Sequence, residues 1–433
     1  MFSKAYSATI HGIDGLIVSV EADISEGLPI FDMVGYLGSE VKEARERVRV
    51  ALKNSGFRLP PKRITVNLSP ADIRKEGTVF DLAVAIAILA AFGRIPDENL
   101  KDILIIGELS LDGSIRKVNG VLPIVYSAQQ QGFAKCIVPK ENAKEGAVVG
   151  NIEVYGVSSL KEVVALLNKE IDIAPEYVDI IKIFKTNQEE DELDFSEVAG
   201  QKAAKRAIEI AVSGMHNLLM IGPPGSGKTM LAKRIPTIMP ELSFDESLEI
   251  SKIYSIAGLL DQEGLILKRP FRAPHHTITT SALVGGGHNP KPGEVSLAHL
   301  GVLFLDELPE FHKKTIEVLR QPLEDKTVTI SRLNASFRFP AGVMLVAAMN
   351  PCNCGFYPDR NRCNCSINEV KRYLNRISQP LLDRFDLCIE ALPVKYQDLD
   401  RKMEEESSEE IRRRIHGARA MQIERYRGQN ILF

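Results

Sequence analysis

No tryptophan occurs in these 433 residues, and only six are cysteine. So few cysteines exclude a disulfide-stapled secreted scaffold, and four of them crowd into Cys352, Cys354, Cys363 and Cys365, a pattern that points to metal rather than cross-links. Also missing is an apolar run able to span a bilayer. The longest, Leu82 to Phe92, falls well short of the roughly 20 residues required, and Met1 to Tyr6 lacks the apolar core of a signal peptide. The expectation is a cytoplasmic protein with no membrane partner. Positive charge is not in excess either: the formal net charge of -3 excludes a protein that coats nucleic acid over its whole surface, so any DNA contact must be local.

What is present suffices for more than one core, because 44% of the residues are hydrophobic and a chain of this length exceeds what one core holds. Residues 1–170 alternate strand-like runs (Gly15 to Ala22, Arg63 to Leu68, Ile103 to Ile106) with helix-like ones (Val41 to Asn54, Leu82 to Ala91), which describes an α/β domain. Residues 171–193 read as an acidic linker ending in Glu189, Glu190, Asp191 and Glu192. Over 194–393, buried strands (Leu218 to Ile221, Val302 to Leu305, Val343 to Ala347) are interleaved with helical stretches, which predicts parallel strands joined by crossovers. Residues 394–433 are helical and charged.

The most specific chemical signal is Gly222-Pro223-Pro224-Gly225-Ser226-Gly227-Lys228-Thr229, a P-loop spacing set between a strand and a helix. Its glycines let backbone N–H groups turn toward phosphate oxygens, Lys228 neutralises β/γ charge, and the Thr229 hydroxyl suits Mg²⁺. A later apolar strand, Val302 to Leu305, ends in Asp306 and Glu307 at the sheet edge where such folds bind ligands. Asp306 is expected to hold the metal ion through water, and Glu307 to polarise the water that attacks the γ-phosphate. Asn350 ends the next apolar run and can orient that water, while Arg384 has the character of a finger reaching a neighbour's nucleotide. From spacing alone, Asn350 reads equally as a loop residue and Arg384 as half of a surface ion pair.

These motifs have a familiar company. Asp194-Phe-Ser-Glu-Val198-Ala-Gly200-Gln201 resembles the segment that cradles adenine in AAA+ proteins, and Phe271-Arg-Ala-Pro-His-His276 followed by Gly285-Gly-Gly287 resembles the magnesium-chelatase-like branch. With Gly27-Leu-Pro29, Lys42-Glu-Ala-Arg-Glu-Arg-Val48 and Lys75-Glu-Gly77, the chain resembles the YifB/ComM family from Met1 to about Arg427. The resemblance implies a hexameric ring that uses ATP and Mg²⁺ for branch migration, as a helicase, during integration of DNA in natural transformation. It also implies that Val198 and Gly200 line the adenine site, and that residues 394–433 are an incomplete helical lid. In this branch two segments face the pore: Thr277 to Glu294, with Gly286 and Lys291, and Thr327 to Phe339, with Arg332, Asn334 and Arg338. One cation per glycine-rich or hairpin loop suits a sliding grip on phosphates; the loops alone read as ordinary surface.

The N-terminal domain resembles the Lon-protease-like fold of the ribosomal-S5 type around Lys75-Glu-Gly-Thr-Val79 and Gly107 to Gly113. Aligning the motifs sets Val79 at the nucleophile position and Leu122 at the lysine position, which argues against proteolysis. Thr78, on a segment read as extended, should face the other way. The pairs Cys352/Cys354 and Cys363/Cys365 make a candidate zinc site, although the usual pair spacing has two intervening residues rather than one, and buried free thiols remain the alternative. His275 and His276, read as extended, should face opposite ways and serve as hydrogen-bonding groups. Two other functions fit the same core: a metal-insertion chaperone subunit like magnesium chelatase, and a nucleotide-gated assembly factor that does not hydrolyse ATP.

Overall fold

Alternation of buried and less buried residues builds the first sheet, most clearly in the second half of Asp14–Ser25, where Val18, Val20, Ala22 and Ile24 are buried and their neighbours are not, while Phe2–His11 is buried continuously over Ser7, Ala8 and Thr9. These two strands form a long antiparallel hairpin at the centre of seven strands, ordered Phe31–Val34, Arg63–Ser69, Asp14–Ser25, Phe2–His11, Ile103–Ile105, Lys135–Pro139 and Glu153–Val157. The helix Asp81–Ala91 is apolar all round and accordingly buried along its whole length. Helix Ser39–Asn54 buries only one stripe, Val41, Ala44, Val48, Ala51 and Leu52. Burial holds the Asp81 carboxyl above its usual range at the start of the buried helix, although Arg47 bonds it at 2.8 and 3.0 Å.

The computed structural model describes residues 1–186, 193–261, 264–287, 290–332, 336–393 and 405–427. Asn334, the acidic residues Glu189, Glu190, Asp191 and Glu192, and residues 394–404 and 428–433 lie outside the described residues. The chain divides into two compact units: Met1–Lys185 with Tyr254–Ile266, and Thr186–Ile253 with Leu267–Phe433. The first half of the stretch expected to be a linker is mostly exposed but touches the first unit at two points. Ile173 joins the first core, the Glu176 N–H bonds Val154 O at 2.8 Å, and Ile180–Thr186 is helical. Tyr254–Ile266 belongs to the first unit because Glu145 captures it: the Ser255 hydroxyl donates to this buried carboxylate at 2.5 Å, and Gly120 N–H donates to Ser255 O at 3.1 Å.

In the second unit, three inner runs buried on both faces and two less buried edge strands form an all-parallel sheet ordered Phe271–Arg272, Val302–Leu305, Met344–Met349, Leu218–Ile221, Leu387–Glu390. The strand before the P-loop therefore lies between the edge strand Leu387–Glu390 and the central strand Met344–Met349 that leads to Asn350, with the acidic strand on the far side of that central strand. Helix Ser408–Arg425 starts at a capping box on Ser407 and packs on this core through Ile411 and Ile415. Ser408 fixes its entry: its N–H donates to the Asp194 carboxylate at 3.0 Å, and its hydroxyl accepts from Phe195 N–H at 2.9 Å. No helix among the described residues is long and apolar enough to cross a membrane.

Candidate functional site

The loop between Leu218–Ile221 and helix Lys228–Ile238 turns through Gly225 and Gly227 at φ of 77° and 80°, and beyond either Cα lies open space where a side chain would project. Only glycine takes both turns cheaply, and the open side leaves room for a ligand. Lys228 begins the helix and is buried. Its ammonium donates to Gly222 O at 2.8 Å, Pro223 O at 2.9 Å, Ser226 Oγ at 3.3 Å and Asn350 Oδ1 at 3.4 Å. All four partners are neutral, and among the described residues no carboxylate ion-pairs with it. Desolvation lowers its affinity for a proton, with Asp306 opposing. A desolvated cation on a glycine loop at a helix N-terminus is set up for an anion, and a polyphosphate is the anion this geometry fits.

Beside it the Thr229 hydroxyl donates to Asp306 Oδ2 at 2.6 Å. A hydroxyl and a carboxylate in contact at the edge of the phosphate cradle are the oxygen donors a Mg²⁺ ion takes along with water and phosphate. Glu307 adopts a left-handed backbone, φ 52° and ψ 47°, and its carboxylate lies 3.8 Å from His276 Nδ1. His275 and His276 do not face apart: their rings stand 4.0 Å apart at 36°. The expected alternation fails because the strand ends at Arg272 and the two residues lie at a turn, where His275 Nδ1 meets Thr277 Oγ1 at 2.9 Å.

Val198 is buried, and the Gly200 N–H donates to Glu405 at 2.6 Å. Gln201 ties this segment to the P-loop, its amide donating to Ser226 O at 3.0 Å and Leu392 O at 2.5 Å. Sequence reasoning placed Gln201 in the adenine-site motif without its tie to the P-loop, and missed Glu405, which belongs to no motif and acts across a long separation. Arg384 is not brought to the P-loop of its own chain: its guanidinium pairs with Glu324, while its carbonyl accepts from Asn217 Nδ2 at 2.8 Å.

A second group gathers away from the cradle. Gly285–Gly286 and Lys291–Pro292 form a hairpin in which Gly286 faces Lys291, and Thr327–Ser331 pairs with Ser336–Pro340 in another. Arg332 donates to Gly287 O at 2.5 Å, which lays the two hairpins side by side. Gly286, Lys291 and Arg332 thus share one region, with Arg338 on the second hairpin. The third group is the cysteines: all four Sγ atoms of Cys352, Cys354, Cys363 and Cys365 lie within 4.8 Å of one another. In the N-terminal unit Val79 is half-buried and Leu122 fully buried. The segment carrying Thr78 is a bend leading into helix Asp81–Ala91 rather than an extended strand, so alternation does not orient it. The Thr78 hydroxyl instead bonds the Glu108 carboxylate at 2.5 Å.

Comparison with known proteins bears on the family. Residues 194–399 match the family model described as magnesium chelatase, subunit ChlI, and residues 20–142 match one described as subunit ChlI of Mg-chelatase. The chain is 44% identical over 422 residues to the competence protein ComM of Haemophilus influenzae, covering 97% of this chain and 82% of that one. It is 43% identical over 417 residues to YifB of Escherichia coli, covering 96% and 81% respectively. The N-terminal region is also similar to Lon protease 2 of Bacillus subtilis, 30% identical over 147 residues, or 33% of this chain and 26% of that one. With its Lon-protease-like α/β domain of the ribosomal-S5 type followed by a Mg-chelatase-like AAA+ domain and part of a helical lid, the chain belongs to the YifB/ComM family.

Proposed function

We propose that this chain is an ATP-hydrolysing subunit of a ring, a hexamer by family likeness, that moves on DNA and drives branch migration when incoming DNA is integrated. The observation that carries the proposal is the buried Lys228 ammonium with four neutral partners, set beside the Thr229–Asp306 contact. Thr229 and Asp306 are the residues that would hold Mg²⁺, which supplies charge neutralisation between the β- and γ-phosphates when bound. Lys228 releases its carbonyl partners and takes the phosphate oxygens. Glu307 accepts a proton from the attacking water, Asn350 orients that water, and His276 holds the Glu307 carboxylate until substrate arrives. Arg384 is assigned to the neighbouring subunit's nucleotide, its pairing with Glu324 being the state to exchange on assembly.

The DNA part of the reading rests on the paired hairpins, which offer Lys291, Arg332 and Arg338 from one region, and on the name of the Haemophilus relative. A ring would multiply such weak phosphate contacts. The magnesium-chelatase reading is favoured by the family models, one of which covers the N-terminal domain, so that domain does not separate the two. Phosphate release measured with and without a four-way DNA junction separates them. Stimulation by the junction, abolished in Glu307→Gln, is the expected result. No stimulation, together with porphyrin metallation alongside partner subunits, would favour the chelatase reading, and ATP binding without phosphate release the assembly-factor one.

A further inference from the structure

The four gathered cysteines take no part in the nucleotide chemistry. Their nearest sulfur separations are 3.3 Å for Cys352–Cys354, 3.6 Å for Cys354–Cys363 and 3.8 Å for Cys352–Cys363. A tetrahedral ion with metal–sulfur bonds of about 2.3 Å sets its sulfurs about 3.8 Å apart. The space between them therefore suits a single ion and is too tight for the ligands of an iron–sulfur cluster, whose sulfurs surround a core of several atoms. None of the four is in a disulfide.

The surroundings favour a bound cation. Backbone N–H groups reach toward the sulfurs, Tyr357 N–H meeting Cys352 Sγ at 3.4 Å. Arg360 donates to Cys365 O at 3.0 Å and lies over the Tyr357 ring at 5.2 Å, and Arg362 lies over the Phe356 ring at 4.0 Å. The loop has little other glue. Among the described residues the local apolar cluster has Cys352, Cys363 and Val370 buried, with Cys354, Phe356, Tyr357 and Cys365 packed against them, a small core in which four of the seven side chains are the thiols themselves. One intervening residue per pair departs from the usual two, yet the turns closed by Gly355 N–H on Cys352 O and Cys363 N–H on Asp359 O still fold the second pair back onto the first.

The loop also leans on the nucleotide cradle. Gly355, at φ 85°, lies so close to Pro224 of the P-loop that a Cβ there would stand 2.5 Å from Pro224 Cδ and 2.8 Å from Cγ. Two residues before Cys352 is Asn350, which accepts from Lys228. We propose that Cys352, Cys354, Cys363 and Cys365 bind one soft divalent ion, zinc by the all-thiolate ligand set, and that the ion fixes Gly355 against Pro224 as one wall of the nucleotide cradle. Each thiol gives its proton to solvent on coordination, and no redox change occurs. The metal site stands on its own, whereas the wall rests on the nucleotide reading.

The test uses the full chain, purified after expression with zinc. Elemental analysis and mercurial-triggered release into a zinc dye should give one zinc per chain for the native protein and for Cys388→Ser, and less than a tenth of that for Cys352→Ser/Cys363→Ser. A fluorescent ATP analogue should bind at least fivefold more weakly to the metal-stripped native protein, with recovery on adding zinc back. Gly355→Ala, which keeps all four thiols, should retain its zinc and bind the analogue more weakly as well. Native protein that holds no zinc and titrates as free thiols or as two disulfides overturns the site, as does an iron–sulfur absorption spectrum. Zinc present with unchanged nucleotide affinity in both stripped and Gly355→Ala protein overturns the wall. Native protein that takes zinc but no nucleotide at all sinks the function proposed above and the wall with it, leaving the metal site standing on its count.

Discussion

Each unit of this protein buries a lysine and, close by in sequence, bonds a threonine hydroxyl to a carboxylate. In the N-terminal unit Lys75 is fully buried with its ammonium on Pro70 O, and the Thr78 hydroxyl meets Glu108 at 2.5 Å. In the AAA+ unit Lys228 donates to Gly222 and Pro223 carbonyls, and the Thr229 hydroxyl meets Asp306 at 2.6 Å. Desolvation weakens proton binding by both ammoniums. The inventories match and the surroundings do not. Lys228 opens a helix after a glycine loop with free space beyond it, at the edge of a parallel sheet. Lys75 is instead pinned by its own backbone, its N–H on Tyr36 O at 2.9 Å and its carbonyl on Gly38 N–H at 2.8 Å, with no exposed surface. A lysine, a threonine and an acid make a phosphate site only where backbone N–H groups and a helix N-terminus face an open cleft; elsewhere they hold a loop in place.

Breaking the comparison at its strongest point means removing each lysine. Lys228→Met should lower ATP turnover by about 100-fold or more, because the developing phosphoryl charge loses its main cation. Lys75→Met should leave turnover within about twofold, read by phosphate release under saturating ATP. Equal losses in both would erase the distinction between site and staple. The threonines give a smaller effect. Thr229→Ala should raise the Mg²⁺ concentration for half-maximal turnover by about tenfold, since one oxygen donor is lost. Thr78→Ala should leave that requirement unchanged and cost about 1 kcal/mol of stability in urea unfolding, the ordinary loss for one partly exposed hydrogen bond to a charged group.

The P-loop was legible because phosphate binding by backbone N–H groups demands glycines at fixed spacing, and Gly225 and Gly227 do take the left-handed conformation that spacing implies. Strands buried on both faces were legible as apolar runs, and Leu218–Ile221 and Val302–Leu305 lie where those runs stood. What escaped depends on contacts between residues far apart in the chain. Nothing near Ser255 in sequence announces that Glu145 captures it, and nothing near Gln201 announces its bond to Ser226. The two histidines were misoriented, and the argument that oriented Thr78 lost its premise, for a single reason: side-chain alternation holds only while the chain stays extended, and at Pro274–Thr277 and Gly77–Phe80 it turns. Apolar Ile173, overshadowed by the acidic run further along, explains why the expected linker touches the first core.

The smallest effect is a pH dependence that sharpens what burial does to Lys75 when no ligand is involved. Its folded-state pKa lies below the ordinary 10.5, with desolvation the main cause and Asp72 opposing. Between the folded and unfolded values the unfolded chain binds more protons, so stability contributed at this position rises with pH and approaches its full value above 10.5. Lys75→Met cannot titrate and lacks that rise. The difference in urea midpoint between native and Lys75→Met protein should therefore move in favour of the native protein as the pH is raised toward 10.5. A difference independent of pH would mean that the ammonium reaches water in the folded state, and that Lys75 is not the sealed counterpart of Lys228.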